Sequence, residues 1–280
     1  MPMVVNTNVS SLSAQKNLST NTGKLATSVQ RLSSGLRINS AKDDAAGLAV
    51  SQKLRAQIAS VAVAIRNSQD GISLAQTTEG GLNEVGNILT RMRELSEQAA
   101  NGTLGVQERG SLNTEYMQLY EEISRIANVT EFNGVKLLNG TGFTGSVSLQ
   151  VGFQNSLQDR IELSFAGIQP STDLASSLGL ASTIDTQVNA QSNLNFIDSA
   201  IGMVAETRGV LGAVMNRLES TIANLRVTHE NLSAADSAIR DADFALEASV
   251  FIRNQILVQA GTSMVAQANM LPQTALSLLQ

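Results

Sequence analysis

The sequence predicts a mainly α protein: a long coiled-coil helical bundle formed by the N- and C-terminal segments, with a small central β-hairpin region. Three observations carry this prediction. Apolar residues recur at alternating steps of three and four near both ends of the chain. The period falls to two only between residues 132 and 167. The composition is 42% hydrophobic but only 3% aromatic, with no Trp, so the apolar stock is Ala, Val, Leu and Ile, which suits close helix packing.

The first helical stretch carries Leu18, Leu25 and Leu32 at intervals of seven, with Val29 and Leu36 interleaved. It is interrupted at Ser33–Ser40 by Gly35 and residues that favour caps. Asp43 and Asp44 are expected in the first turn of the next helix, where the helix dipole favours acidic side chains. That helix is expected from Ala45 to about Ala100, with Leu54, Ile58, Val61, Ile65, Ile72, Ala75, Leu82, Leu89 and Leu95 along its seam. Gly71, Gly80, Gly81 and Gly86 weaken it by ~1 kcal/mol each relative to Ala. At ~1.5 Å per residue a continuous helix here is about 80 Å long.

Asn101–Gly105 reads as a turn, followed by a helix over about Gln107–Val129 with Leu112, Tyr116, Leu119, Ile123 and Ile126 on one face. Val147, Leu149 and Val151 then alternate, as do Ile161, Leu163 and Phe165, while Asn133-Gly134, Asn139-Gly140 and Gly145 mark hairpin turns. Residues 168–192 are polar, rich in Ser and Thr, and contain Pro170, so a short surface loop is expected.

The last third holds the longest pattern. Alternating steps of three and four from Leu194 to Met264 meet 21 positions, of which 16 are apolar; the overall composition would give about nine. Such sustained periodicity implies a coiled-coil seam. The organisation expected is a terminal coiled-coil domain from residues 1–44 and 233–280, and a helical domain from 45–232. The second carries the β-hairpin region at about 132–167 and the loop at 168–192.

Two long stripes need partners. Burying each Leu or Ile is worth ~1.5–3 kcal/mol, and the segments before Gly35 and after about Ile239 have little of their own chain to pack on except each other. Leu18, Leu25, Val29, Leu32, Leu36, Ile239, Leu246, Val250, Leu257 and Met264 are therefore expected to pack between subunits. Repeated head-to-tail without closure, such contacts build a helical filament of many copies. The free tails are expected to order only when neighbours supply the missing surface.

Other function classes find little support. The net charge is −5, which gives neither a nucleic-acid footprint nor a basic membrane patch. Charged residues are 15% of the chain, against roughly 25% in ordinary domains. There is no cysteine for disulfides or thiolate metal sites, and the single histidine, His229, sits on the seam. No phosphate-binding glycine loop is present, so no cofactor or metal is expected and the chain is not read as an enzyme. Arg208, Arg253, Asp236 and Asp243 interrupt the seam and leave open whether they set register, reach another subunit or lie at the rim. The N-terminus lacks the charged and apolar regions of a secretory signal, and no stretch is long and apolar enough to span a membrane.

Specific residues add a resemblance. The run Arg31-Leu-Ser-Ser-Gly35-Leu-Arg37-Ile-Asn39-Ser40-Ala-Lys42-Asp43-Asp44-Ala-Ala-Gly47-Leu48 is similar, almost residue for residue, to the N-terminal signature of the bacterial flagellins. Arg66-Asn67 and Asp70–Leu74 extend it. So do Leu211-Gly212-Ala213, Asn216–Leu218, Ile239–Asp243, Gln267–Asn269 and Pro272-Gln273. Gly209 and Met215 stand where the family pattern has Ala and Gln. The resemblance covers about residues 1–167 and 190–280 and implies a short form lacking the large variable outer domains.

By resemblance, the terminal domain forms an inner tube and residues from about 45 to 232 an outer tube in an extracellular filament that serves motility. Export through the flagellum's own channel, without a cleavable signal peptide, is also implied. The implied partners are an export chaperone holding about Phe244–Gln280, a filament cap protein and hook-associated proteins. Arg91, Leu95 and Glu115 match the family's site for the flagellin-sensing Toll-like receptor. Ser171, Thr172, Ser176, Ser177, Ser182 and Thr183 are candidate O-glycosylation sites. The alternatives are a hook–filament junction protein, favoured less by the match at both termini, and a secreted coiled-coil effector, for which neither a pore-forming segment nor a binding domain is present.

Overall fold

A computed structural model describes residues 7–139, 146–164, 174–180 and 183–277. The elements are α1 (Val9–Ser34), α2 (Ala45–Ala99), α3 (Val106–Val129), β1 (Glu131–Phe132), β2 (Val135–Lys136), β3 (Ser146–Gln150), β4 (Arg160–Ser164), α4 (Leu174–Ser177), α5 (Gln187–Arg240) and α6 (Phe244–Ser277). They group into two compact units: residues 1–57 with 231–280, and residues 58–230. The first boundary falls 13 residues later than the expected 44/45. Helix α2 begins by packing on the end of α5, where Ser51 Oγ donates to Asp236 Oδ1 at 2.5 Å and Arg55 Nε to Asp236 Oδ2 at 3.3 Å.

The larger unit is built on the antiparallel pair α2 and α5. Its α2 seam is Val61, Ala64, Ser68, Gly71, Ala75, Thr78, Leu82, Val85, Leu89, Met92, Ser96 and Ala99, all buried, in unbroken steps of three and four. On α5 the buried set is Ala190, Asn193, Ile197, Ala200, Val204, Thr207, Leu211, Leu218, Ile222 and Leu225. This corrects the expected frame. Asn193, Ala200 and Thr207 occupy the interior, and Leu194, Ile201 and Arg208 are only half-buried beside them. Close approach of two helices selects small side chains, so the larger neighbours move to the flanks. The buried hydroxyls do not need partners on the other helix. Ser68 Oγ, Thr78 Oγ1, Ser96 Oγ and Thr207 Oγ1 each donate to the carbonyl four residues earlier, at 2.8–2.9 Å.

Helix α3 lays Tyr116, Ile123 and Ala127 into the same core, with Leu112, Leu119 and Ile126 half-buried beside them. Arg109 fixes its start by donating to Ala99 O at 2.8 Å and Asn101 O at 3.0 Å, carbonyls left free at the end of α2. Two hairpins follow. Strands β1 and β2 turn at Asn133-Gly134, both in the left-handed region. In the second, Val147 pairs with Leu163 and Leu149 with Ile161, which realises the expected alternation; Phe165 lies outside the described residues.

The expected surface loop at 168–192 is corrected in its described part. Leu174, Ala175, Leu178, Leu180 and Ile184 are buried in the core, and α5 already begins at Gln187. Scattered leucines among Ser and Thr concealed a short core-anchored helix.

The expected single helix from Leu194 to Met264 is also broken, at residues 241–243. Asp243 ends the run by capping α6, accepting from the amides of Ala245 (2.9 Å) and Leu246 (3.1 Å). Nor do Asp43 and Asp44 lie in the first turn of α2. Asp44 caps it from outside, accepting from Gly47 N at 2.8 Å. Asp43 folds back on the amides of Asn39 and Ser40, bonds that hold its carboxyl below the usual carboxylate pKa.

Gly71 sits where the β3–β4 hairpin meets α2. A Cβ there would lie 2.4 Å from Leu149 Cδ1 and 3.4 Å from Leu218 Cδ1. Gly→Ala inside a helix ordinarily gains ~1 kcal/mol. Here overpacking reverses the sign: Gly71→Ala is expected to destabilise by about 1 kcal/mol, and Gly71→Val by about 1–3 kcal/mol. Thermal unfolding followed by circular dichroism checks this, at about 2–4 °C per kcal/mol. A Gly71→Ala chain that melts higher than the parent contradicts it.

Candidate assembly interface

The smaller unit is an antiparallel pairing of α1 with α6. Asn8 Nδ2 donates to Ala268 O and Ser11 Oγ to Asn269 Oδ1, each at 2.7 Å. At the other end Arg31 Nη1 lies 3.5 Å from Glu247 Oε2. The α1 side of the seam is Ser11, Ala14, Leu18, Asn21, Leu25, Ser28 and Leu32; the α6 side is Glu247, Phe251, Asn254, Val258, Gly261, Val265 and Ala268. All are buried or half-buried.

On α6 this frame is one residue ahead of the expected one. Leu246, Leu257 and Met264 are therefore off the pairing line and exposed by 66%, 42% and 62%; Val250 is half-buried. Stepping 100° per residue puts exposed Ile252, Ile256 and Met270 on the side opposite Gly261 and α1. The helix thus shows apolar side chains around its whole circumference, while α1 covers one side. On α1, Leu18, Leu25 and Leu32 take α6 of the same chain as their first partner, and Val29 stays exposed.

The two helix breaks meet inside this unit. Gly35 adopts φ +71°, a left-handed C-cap conformation that a side chain would strain, and its amide donates to Arg31 O. Leu36 and Asp241 then form an antiparallel bridge. Arg37 N donates to Arg240 O (2.7 Å), Ala242 N to Gly35 O (3.0 Å), and Arg37 Nη2 to Ile239 O (2.5 Å). Leu36 and Ile239, expected between subunits, sit half-buried at this joint. Helix periodicity cannot reveal it, although Gly35 and Asp243 mark both of its sides.

In the larger unit Arg91 donates through Nη2 and Nε to Glu115 Oε1 (2.8 and 3.0 Å) and through Nη1 to Glu94 Oε2 (2.9 Å). The Glu115 bonds come first in raising its pKa above the ordinary guanidinium value. Arg93 is likewise paired with Asp198 at 2.7 Å. Arg91 is exposed and Glu115 half-buried; Leu95 is neither. It is 1% exposed within the core, which corrects the expectation that it would itself touch a receptor.

Of the other singled-out positions, Arg208 lies 3.6 Å from Glu79, and Arg253 is exposed while His229 is half-buried. Among the described residues no cluster of metal-ligating side chains occurs, and no helix is long and apolar enough to cross a membrane. Ser176 Oγ is 2.9 Å from Tyr120 Oη, Ser177 Oγ donates to Leu174 O, and Thr183 is half-buried. Ser171, Thr172 and Ser182 lie outside the described residues.

Periodicity also missed a polar node in the core. Asn193 Nδ2 donates to Tyr116 Oη at 2.7 Å and lies 3.4 Å from Ser96 Oγ, linking α5, α3 and α2. An Asn at a strict seam position was the available signal.

A family model described as the bacterial flagellin N-terminal helical region matches residues 5–142, and one described as the bacterial flagellin C-terminal helical region matches residues 194–279. The chain belongs to the flagellin family. It is 48% identical over 278 residues to a flagellin of Halalkalibacterium halodurans, covering 99% of this chain and all of the relative. It is 40% identical over 293 residues to the flagellar filament 33 kDa core protein of Treponema phagedenis, covering 99% of this chain and all of that one. As a flagellin of short form, without a large central domain, it is a structural subunit of the flagellar filament. The fold is shared with a putative flagellar hook-associated protein of Vibrio parahaemolyticus at 17% identity and TM-score 0.59, over 71% of this chain and all of the other. That likeness speaks to fold alone, so the hook-junction alternative is not favoured.

Burial pushes the Tyr116 hydroxyl from 10.0 up to about 12, and the Asn193 bond opposes this. A raised folded-state pKa gives stability that is complete below pH 10 and lost as pH rises through about 12. Alkaline denaturation should therefore show falling stability across that window. Tyr116→Phe should remove this component of the pH dependence, as measured by denaturant midpoints at pH 9 to 12; an unchanged slope rules it out.

Proposed function

We propose that the chain enters its filament through the terminal helix pair, and that the uncovered stripes of α6 are closed by neighbouring copies. One observation carries this reading: α6 exposes Leu246, Ile252, Ile256, Leu257, Met264 and Met270 on flanks that α1 does not cover. Exposed apolar side chains in such number favour burial against a partner. In this reading residues 1–44 and 233–280 line the inner tube and 45–232 form the outer tube. Leu246, Val250, Leu257 and Met264, with Val29 on α1, make the contacts between copies, while Leu18, Leu25, Leu32, Leu36 and Ile239 support them from within the hairpin. The role is structural rather than catalytic.

The same exposed surface gives an export chaperone a reason to hold about Phe244–Gln280 before assembly. Filament cap and hook-associated proteins are the further partners of such a subunit, and its place is extracellular. Export as an unfolded chain accords with the absence of cysteine. The Ser and Thr positions 171, 172, 176, 177, 182 and 183 are proposed as O-glycosylation sites. Ser176 is the exposed member of the described set.

Leu257→Asp tests the assembly reading. A carboxylate on the uncovered stripe stays hydrated in the free chain but is buried in a filament, at a cost of several kcal/mol. The helical circular dichroism of the monomer should be unchanged, and the concentration needed for growth on filament seeds should rise at least about tenfold, the equivalent of 1.4 kcal/mol. Growth at the parental concentration defeats the reading.

For the innate receptor, the proposed contact is Arg91 with Glu115, with Leu95 supporting them from the core. Arg91→Glu places like charges against Glu94 and Glu115, and should weaken receptor activation by the monomer by tenfold or more. Restoring the pair with Glu115→Arg in the same chain should recover the fold but not the activation. Full activation by the single variant removes the recognition claim.

A further inference from the structure

We propose that Met264 and Met270 are oxidation sites whose conversion to sulfoxide holds the chain in its unassembled state. The proposal rests on the reading that neighbouring copies cover α6. The eight methionines are not equivalent as targets. Met92 is fully buried, and Met203 and Met215 pack half-buried against the core of the larger unit. Met117 is exposed by 41%, and its sulfur accepts from Asn113 Nδ2 at 3.7 Å. Met264 and Met270 are exposed by 62% and 60%, higher than any other described methionine.

Their positions matter more than their exposure. Met264 lies on the same open flank of α6 as Leu246 and Leu257, and with Leu257, Ala260 and Gly261 it walls a groove whose other side is Val9, Ser13 and Asn17 of α1. Met270 belongs to the opposite stripe with Ile252 and Ile256. Both uncovered stripes therefore end in a thioether, and neither thioether is on the line that meets α1.

The chemistry needs a two-electron oxidant such as hydrogen peroxide. The sulfur lone pair attacks a peroxide oxygen, an S–O bond forms as the O–O bond breaks, and the released hydroxide takes the proton of the new S–OH group, giving water and the sulfoxide. The thioether is oxidised and the peroxide reduced. The product is a polar side chain with a strong acceptor oxygen. In the free chain that oxygen points to water, so the α1–α6 hairpin tolerates it. Between copies it would be buried on an apolar stripe without a donor. The modification therefore acts on assembly and leaves the fold alone, and reduction of the sulfoxide reverses it.

The test treats full-length monomer and preformed filaments with hydrogen peroxide and maps each methionine by peptide mass spectrometry. In the monomer, Met264 and Met270 should oxidise at least tenfold faster than Met92, Met203 and Met215; in filaments they should be protected at least tenfold. Oxidised monomer, its helical circular dichroism intact, should need at least a tenfold higher concentration to grow on seeds, and methionine sulfoxide reductase should restore it. The double variant Met264→Leu, Met270→Leu, compared only with itself, should need the same concentration for growth before and after peroxide. Met264→Gln with Met270→Gln, polar at similar length, should grow poorly without any oxidant.

Normal growth of monomer carrying both sulfoxides overturns the proposal, as does equal loss of growth by the peroxide-treated Leu variant. If Leu257→Asp blocks growth while the sulfoxides are tolerated, the oxidation proposal alone fails. If Leu257→Asp also grows normally, the assembly reading fails with it.

Discussion

A helix can be screened from water by one neighbour over only part of its circumference, and α6 carries large apolar side chains on flanks that α1 does not cover. The α1 side uses Phe251, Val258, Gly261, Val265 and Ala268, while Leu246, Ile252, Ile256, Leu257 and Met264 are left outside. The intramolecular contact defines a hairpin and leaves these apolar side chains exposed. A filament subunit needs this: contact within the chain must not compete with contact between chains.

The larger unit solves a different packing problem with the same seven-residue period. Its α2 seam includes Ser68, Gly71, Ala75, Thr78, Ser96 and Ala99. Buried hydroxyls there are satisfied by their own helix, so they place no demand on the partner. The exceptions, Asn193 and Ser96 with Tyr116, form one polar node among three helices. A node of this type favours one axial register, because a slip of one turn would part Asn193 Nδ2 from Tyr116 Oη and Ser96 Oγ. The sequence thus combines permissive packing along most of the seam with one selective point.

Much of this was legible in advance, for reasons that particular residues make plain. The class of the long helices followed from spacing, though α5 and α6 read as one run, and the alternation of Val147, Leu149, Ile161 and Leu163 placed the second hairpin and its paired faces. What spacing could not supply was the choice between adjacent frames. Leu194, Ile201 and Arg208 form a more apolar series than Asn193, Ala200 and Thr207, but close approach prefers the smaller set. Composition hid α4, since Leu174, Leu178 and Leu180 are dispersed among Ser and Thr. The break at 241–243 was masked because the three-four count runs through it unchanged. Leu246, Leu257 and Met264, expected between copies, are exposed on α6, whereas the residues that face α1 lie one position on from the expected frame.

The joint between Leu36 and Asp241 closes one end of the terminal hairpin, and Asn8 lies against Ala268 near the other. Tension applied to the two ends of the polypeptide would therefore peel α1 from α6 one contact at a time, starting at Asn8 and Ser11. It would not load the whole seam in shear. Peeling asks for little force at any instant, so a puller acting on either terminus meets a zipper.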